Sequence, residues 1–194
     1  MYNLSSFSLS NRSYKRKWRS GLSPIVMETK RITRMGLLVA LSLILSYVES
    51  QIPSFFMVPG IKLGLSNVCI VFALYTLFYK DAFFISILRV FISSLLFGSV
   101  LSLLYSLSGA IVSFFIMALM KKTGIFSSLI VSIVGGVMHN TAQLLVAILV
   151  IGTSALLYYI PFLLISGVVT GAVIGYLASI VLKRMEEDNS IVVL

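Results

Sequence analysis

Long apolar runs, broken at intervals by charged residues or by Pro and Gly, dominate the chain. Six apolar segments stand out, at roughly 33–50, 63–79, 82–98, 100–120, 125–151 and 156–182. Each is close to the ~20 residues a helix needs to cross a bilayer, the third being short and the fifth long enough to tilt. The pattern predicts an all-α membrane protein, a six-transmembrane-helix bundle over 33–184. A basic disordered tail over 1–32 and a short tail over 185–194 flank it. The segment QIPSFFMVPGIK (Gln51–Lys62) is too short and too Pro-rich to span. Pro53 and Pro59 break helices, while Phe55, Phe56 and Met57 are apolar enough to dip into the interface, as a lid or re-entrant turn would.

Composition fits this reading. Mean hydropathy is +1.06, and charged residues make up 11% of the 194 residues, against about 25% in soluble domains. A six-helix bundle uses nearly the whole chain and leaves no room for a soluble catalytic domain. The single cysteine, Cys69, lies in an apolar segment and reads as a small packing residue.

The formal net charge of +9 is concentrated at one end, because residues 1–34 hold eight basic residues against Glu28 alone. That flank, Lys80, Lys121–Lys122 and Lys183–Arg184 fall on one side if the spans alternate. The opposite side holds Glu49, Lys62 and two nearly chargeless connections near Gly98 and Gly152. The positive-inside rule then places both termini in the cytoplasm of a multi-pass bacterial cell-membrane protein, its basic flank touching anionic lipid. Nucleic-acid binding is not expected, since only Trp18 and Tyr14 accompany the basic tail. Met27 is a plausible true start, because the preceding residues are Ser/Arg-rich and Glu28–Arg34 makes an ordinary helix flank.

Small residues mark close helix contacts. The last segment repeats them at every fourth position (Gly167, Gly171, Gly175, Ser179), and the fourth carries Ser102, Ser106, Gly109 and Ser113. Such stripes let backbones approach where no hydrophobic drive separates helix from lipid. For the last spans the reading is packing within the bundle. The shorter pair in the first segment, Gly36 and Ala40, is a candidate docking face for a partner subunit.

Against this apolar background two residues stand out. Arg89 lies mid-way along the third segment, flanked at helical spacing by Ser86 and Ser93, and His139 lies mid-way along the fifth. A charge at bilayer depth is costly and faces a protein interior or a polar cavity. His139 and Gln143 share a helix face, with Asn140 beside them. Glu49 ends the first segment, and Lys62 and Asn67 begin the second. The candidate ligand-binding set is therefore Glu49, Lys62, Asn67, Arg89, His139, Asn140 and Gln143, a cationic, amide-rich group in the outer half. Arginine suits capture of a carboxylate or phosphate, which points to a small anionic or zwitterionic ligand. The competing reading is structural: Arg89 pairs with Glu49 or helix-end carbonyls, and His139 is a hydrogen-bonded core residue.

What is missing narrows the chemistry. Of six acidic residues only Glu49 approaches this set, whereas a magnesium–diphosphate site needs several converging carboxylates. One His and one Cys make no zinc site, and no phosphate-gripping Gly-Lys-Ser/Thr loop is present. Neither a metal, a cofactor nor a catalytic residue is expected, and ATP hydrolysis is excluded.

The same segments carry a resemblance. YVESQIP, PGIKLGLSNV, LRVFISSLLFGS, SLSGA, GGVMHNTAQLLVA and YYIPFLLISGVVTGAVIGYLA resemble the small membrane family labelled Gx transporter, also called heptaprenyl diphosphate synthase component I, over about residues 35–184. That family looks like the substrate-binding S components of energy-coupling factor (ECF) vitamin transporters. The resemblance implies six helices, termini inside and a ligand bound near the outer face. It also implies a small-xxx-small stripe on the first helix, matched here by Gly36 and Ala40, that docks the coupling protein and its ATPases. The synthase label implies instead a noncatalytic subunit that assists a soluble prenyl synthase in forming the menaquinone side chain. A pocket, a gate and a docking face are what a transport subunit requires, so the sequence favours uptake of a small ligand over the synthase role.

Overall fold

The computed structural model describes residues 24–51 and 64–187. These residues form six α-helices: α1 (Pro24–Gln51), α2 (Asn67–Thr76), α3 (Tyr79–Phe97), α4 (Val100–Thr123), α5 (Ser128–Ile151) and α6 (Ile160–Glu187). A 3-10 segment, Ser154–Tyr159, leads into α6. No strand occurs among the described residues, in agreement with the all-α expectation. The Pro-rich connection of residues 52–63, including Lys62, lies outside the described residues.

Local chemistry sets most helix ends. Ser99 and Ser127 cap α4 and α5 by accepting the backbone N–H of Ser102 and of Ile130. Gly124 and Gly152 close the same helices at φ 69° and 73°, a left-handed conformation that favours glycine. Pro161 falls in the first turn of α6, where its missing N–H costs no helical hydrogen bond.

Four stretches are long and apolar enough to cross a membrane: Glu28–Gln51, Val100–Thr123, Ser128–Ile151 and Ser154–Arg184. The expected spans 63–79 and 82–98 are not among these four, and the first helix starts earlier than expected. Helix α1 begins at Pro24, so the charged stretch Glu28–Arg34 is helical. Helix α2 has only 10 residues, about 15 Å at 1.5 Å per residue. That is half a bilayer, so the expected full span over 63–79 is not one continuous crossing helix. Extended backbone at Leu77 and Phe78 separates it from the 19-residue α3.

Short as it is, α2 is central. It packs against α1, α3 and α6, while α5 runs along both α4 and α6. Its Cys69, Ile70, Val71, Ala73 and Leu74 are all buried, and they join Ile85, Phe114, Val131 and Ile174 in the main apolar core. The α5–α6 contact is made by glycine. A Cβ on Gly171 would stand 2.7 Å from Ile133 Cα, and one on Gly167 would stand 2.9 Å from Val137 Cα. The two backbones therefore touch, as the four-residue repeat predicts.

On α1 and α3 the buried face carries the polar side chains and the exposed face is apolar. On α1 the buried stripe is Leu38, Ser42, Ser46 and Glu49, while Leu37, Leu41, Ile44 and Val48 are exposed. On α3 Ser86, Arg89 and Ser93 are buried and Phe84, Phe91 and Leu95 exposed. An apolar surface of this extent is stable in lipid and unfavourable in water.

Candidate functional site

The α2–α3 turn explains why Arg89 has company. Counting back from Leu77–Phe78 along α2 and forward along α3 brings Ser66–Asn67 and Arg89 to the same height, about 15 Å from the turn. Arg89 is 6% exposed. Its guanidinium donates to Ser66 Oγ and, over 3.0 Å, to Asn67 Oδ1. Ser66 precedes the first residue of α2 but makes no side-chain cap there, its hydroxyl being used by Arg89 instead.

Glu49 reaches the same place from α1. It is buried, and its Oε1 accepts the backbone N–H of Gly64, just before α2 begins. An acid at a helix N-terminus is favoured by the macrodipole. Glu49 also acts electrostatically on Arg89, yet the direct hydrogen bonds of Arg89 go to Ser66 and Asn67. Among described residues the one ion pair within 4 Å is Arg31–Asp81, at the other end of α3. The helices α1, α2 and α3 are thus joined by a charged network in which cation and anion share the start of α2 without touching.

The α3–α4 turn repeats this counting. Measured from Gly98–Ser99, Arg89 on α3 is level with Gly109 on α4. Gly109 is the point where α4 meets the polar face of α5: a Cβ there would stand 2.9 Å from His139 Cε1 and Gln143 Cγ. His139 lies within electrostatic reach of Arg89, and its Nδ1 approaches Gly109 without completing a hydrogen bond. Arg89, Asn67, His139 and Gln143 therefore occupy one layer.

Asn140 points elsewhere. Its Nδ2 donates over 3.0 Å to Leu163 O, tying α5 to the first turns of α6. Gly36 and Ala40 lie exposed on α1, and a Cβ on Gly36 would meet nothing within 4 Å. Lys62 is outside the described residues. Sequence reasoning passed over Ser66 and Gly64. The turn-to-turn count would have found Ser66, since it needs only the positions of the two turns.

The opposite, basic end is also knit together. Arg31 of α1 holds Asp81 of α3 in a two-pronged contact, Nε to Oδ2 over 2.7 Å with Nη2 on Oδ1. Lys121 of α4 donates to Leu74 O near the C-terminus of α2 and lies 5.1 and 4.9 Å from the ring centres of Tyr75 and Tyr79. Among the described residues no group of three or more His, Cys, Asp or Glu is placed to hold a metal ion. What the mid-depth layer offers chemically is hydrogen-bond donation beside one buried positive charge.

The model of one protein family, heptaprenyl diphosphate synthase component I, matches residues 38–181. No curated protein and no solved structure matches the chain.

Proposed function

The chain belongs to the heptaprenyl diphosphate synthase component I family, and from that premise we propose that it is the noncatalytic membrane component of a polyprenyl diphosphate synthase. The observation that carries this reading is the family match over nearly all the helices, 38–181. A numbered component implies a second one that performs the chemistry. The carboxylates support that division: Glu49 is engaged by Gly64 and Asp81 by Arg31, so neither is open to share a magnesium–diphosphate group. With both termini cytoplasmic, the basic end formed by Lys30, Arg34, Lys80, Lys122 and Arg184 faces the compartment in which a soluble synthase works. In this role the chain holds the synthase, or its lengthening apolar product, at the bilayer.

A second reading, an S-component-like subunit that takes up a small ligand at Glu49, Lys62, Asn67, Arg89, His139, Asn140 and Gln143, is favoured by the exposed Gly36–Ala40 stripe. Co-purification from membranes separates the two. Recovery of a soluble, Asp-rich prenyl synthase whose long-chain product yield rises when the membrane chain is added supports the subunit role. Recovery of a coupling protein with paired ATPases, and no effect on a prenyl synthase, overturns it in favour of uptake.

A further inference from the structure

Three helix ends meet around one exposed aromatic ring at the basic end. Phe78, in the extended turn between α2 and α3, is 43% exposed. Arg31 of α1 stands over its ring, the guanidinium carbon 5.4 Å from the ring centre, while its nitrogens hold Asp81 of α3. From the other side Lys121 of α4 lies 4.9 Å from the ring centre of Tyr79, the residue next to Phe78. The start of α1, the α2–α3 turn and the end of α4 are therefore neighbours. Helix α1 also continues past the turn, since seven residues lead back from Arg31 to Pro24, about 10 Å of helix. The turn thus lies at the foot of a helical step.

Charge sets what this surface attracts. The three helix ends carry Lys30, Arg31, Arg34, Lys80, Lys121 and Lys122 against Glu28 and Asp81. Asp81 is buried under Arg31, and Lys121 is turned inward onto Leu74 O. Lys30, Arg31, Lys80 and Lys122 stay exposed, with Glu28 the one exposed acid among these residues. Such a surface draws carboxylates from solution. The ring adds what charge alone lacks. Charged groups on α1, α3 and α4 put Phe78 at the level of the bilayer surface rather than among acyl chains, and a ring exposed there gains from an apolar pocket. Aromatic and arginine side chains set together are also the kind that dominate protein–protein binding energy. Lipid phosphates would neutralise the cations but supply no pocket for the ring, so the pairing of ring and charge favours a protein.

We propose that Phe78, framed by Arg31, Lys80 and Lys122, is the anchor by which this chain docks an acidic face of its soluble synthase partner. The site rests on the subunit reading and its orientation, which put this end on the synthase's side of the membrane.

The probe is the soluble prenyl synthase recovered by co-purification, purified and titrated against the full chain in phosphatidylcholine nanodiscs at low and high salt. Phe78→Ala, which changes no charge, is expected to weaken binding roughly tenfold or more. Lys80→Gln combined with Lys122→Gln is expected to weaken it roughly three- to tenfold at low salt and less at high salt. Both lysines are exposed, so this pair tests the surface independently of any disturbance of the turn by the alanine. The control Phe84→Ala, on the exposed apolar face of α3, is expected to bind as the unaltered chain does. Phosphatidylglycerol retained through purification from membranes is measured on the same proteins by mass spectrometry. Unaltered synthase affinity in either the Phe78→Ala or the lysine protein overturns the docking site and leaves the subunit reading standing. Loss of retained phosphatidylglycerol in the lysine protein, with synthase affinity unchanged, assigns the surface to anionic lipid and also overturns the site. Failure of the unaltered chain to bind the synthase overturns the subunit reading, and this site with it.

Discussion

Arg89, at the middle of α3, donates over 3.0 Å to the side-chain oxygen of Asn67, the first residue of α2. A full-length second helix would carry its start past this level. At the part-buried start of α2, Asn67 and Val68 donate their N–H groups to Gly64 O and Leu65 O, Glu49 accepts the N–H of Gly64, and Arg89 donates to the side chains of Ser66 and Asn67. The arginine is at once the lock on a short helix and the charge of the polar layer.

The lock has a measurable worth. Arg89→Lys keeps the charge but replaces a planar fork by a point donor that cannot serve Ser66 and Asn67 in the same geometry. The expected loss is about 1.5–3 kcal/mol of stability, the range for hydrogen bonds to a charged group. Chemical unfolding in detergent, followed by Cys69 thiol labelling, reads both the loss and the opening around α2. Unchanged stability would remove Arg89 from this role.

The glycine contacts separate packing from surface. Gly171→Ala places a Cβ 2.7 Å from Ile133 Cα, where only backbone movement can relieve it. A destabilisation of about 1–3 kcal/mol is expected, as for overpacking generally. Gly36→Ala has nothing within 4 Å and is expected to shift stability by no more than about 0.5 kcal/mol. Thermal unfolding of both variants checks the contrast. Gly36→Leu adds a readout on assembly: an unchanged fold with loss of any co-purifying partner marks α1 as a docking face.

At the basic end Arg31 and Asp81 clamp α1 to α3, with Asp81 3% and Arg31 44% exposed. A double-mutant cycle of Arg31→Gln and Asp81→Asn is expected to give a coupling of about 1 kcal/mol, the upper range for partly solvated pairs, and to weaken in high salt. A coupling near zero at low salt would show that the clamp contributes nothing to stability.

Lys121 supplies positive charge near the C-terminus of α2 and lies against two tyrosine rings. Lys121→Met keeps the apolar stem and deletes the charge. The expected cost is about 1–2 kcal/mol from the lost dipole and ring contacts. Hydrogen exchange at the end of α2 should rise more than exchange in α5, whose contacts with α6 do not involve this residue.

Hydrophobic runs, their breaks and the four-residue glycine repeat were sufficient to read the all-α class, the boundaries of α4 and α5 to within a few residues, and the glycine face of α6. These features depend on a residue and its near neighbours: a helix ends where Gly takes a left-handed conformation or Ser caps, and a long apolar stretch in lipid must satisfy its backbone by itself. Arg89 and His139 were legible for the same reason, as polar groups at depths where polarity is costly.

Tertiary structure decided the rest. The apolar run of 63–79 does not show that its helix starts only at Asn67, because the polar side chains Ser66 and Asn67 at that start find their partner in Arg89 of α3, and Gly64 N–H finds its own in Glu49 of α1, only once the helices are packed. Asn140 and His139 are adjacent in sequence and equal in polarity, yet one is tied to Leu163 on α6 and the other faces Gly109 on α4. Hydropathy cannot separate them, since a step of one residue turns a helix by 100° and only the neighbours determine what each face meets. The choice between Glu49 and Asn67 as direct partner of Arg89 has the same origin. Charge favours the acid at any distance, but a hydrogen bond needs atoms about 3 Å apart, and the fold brings Asn67 there.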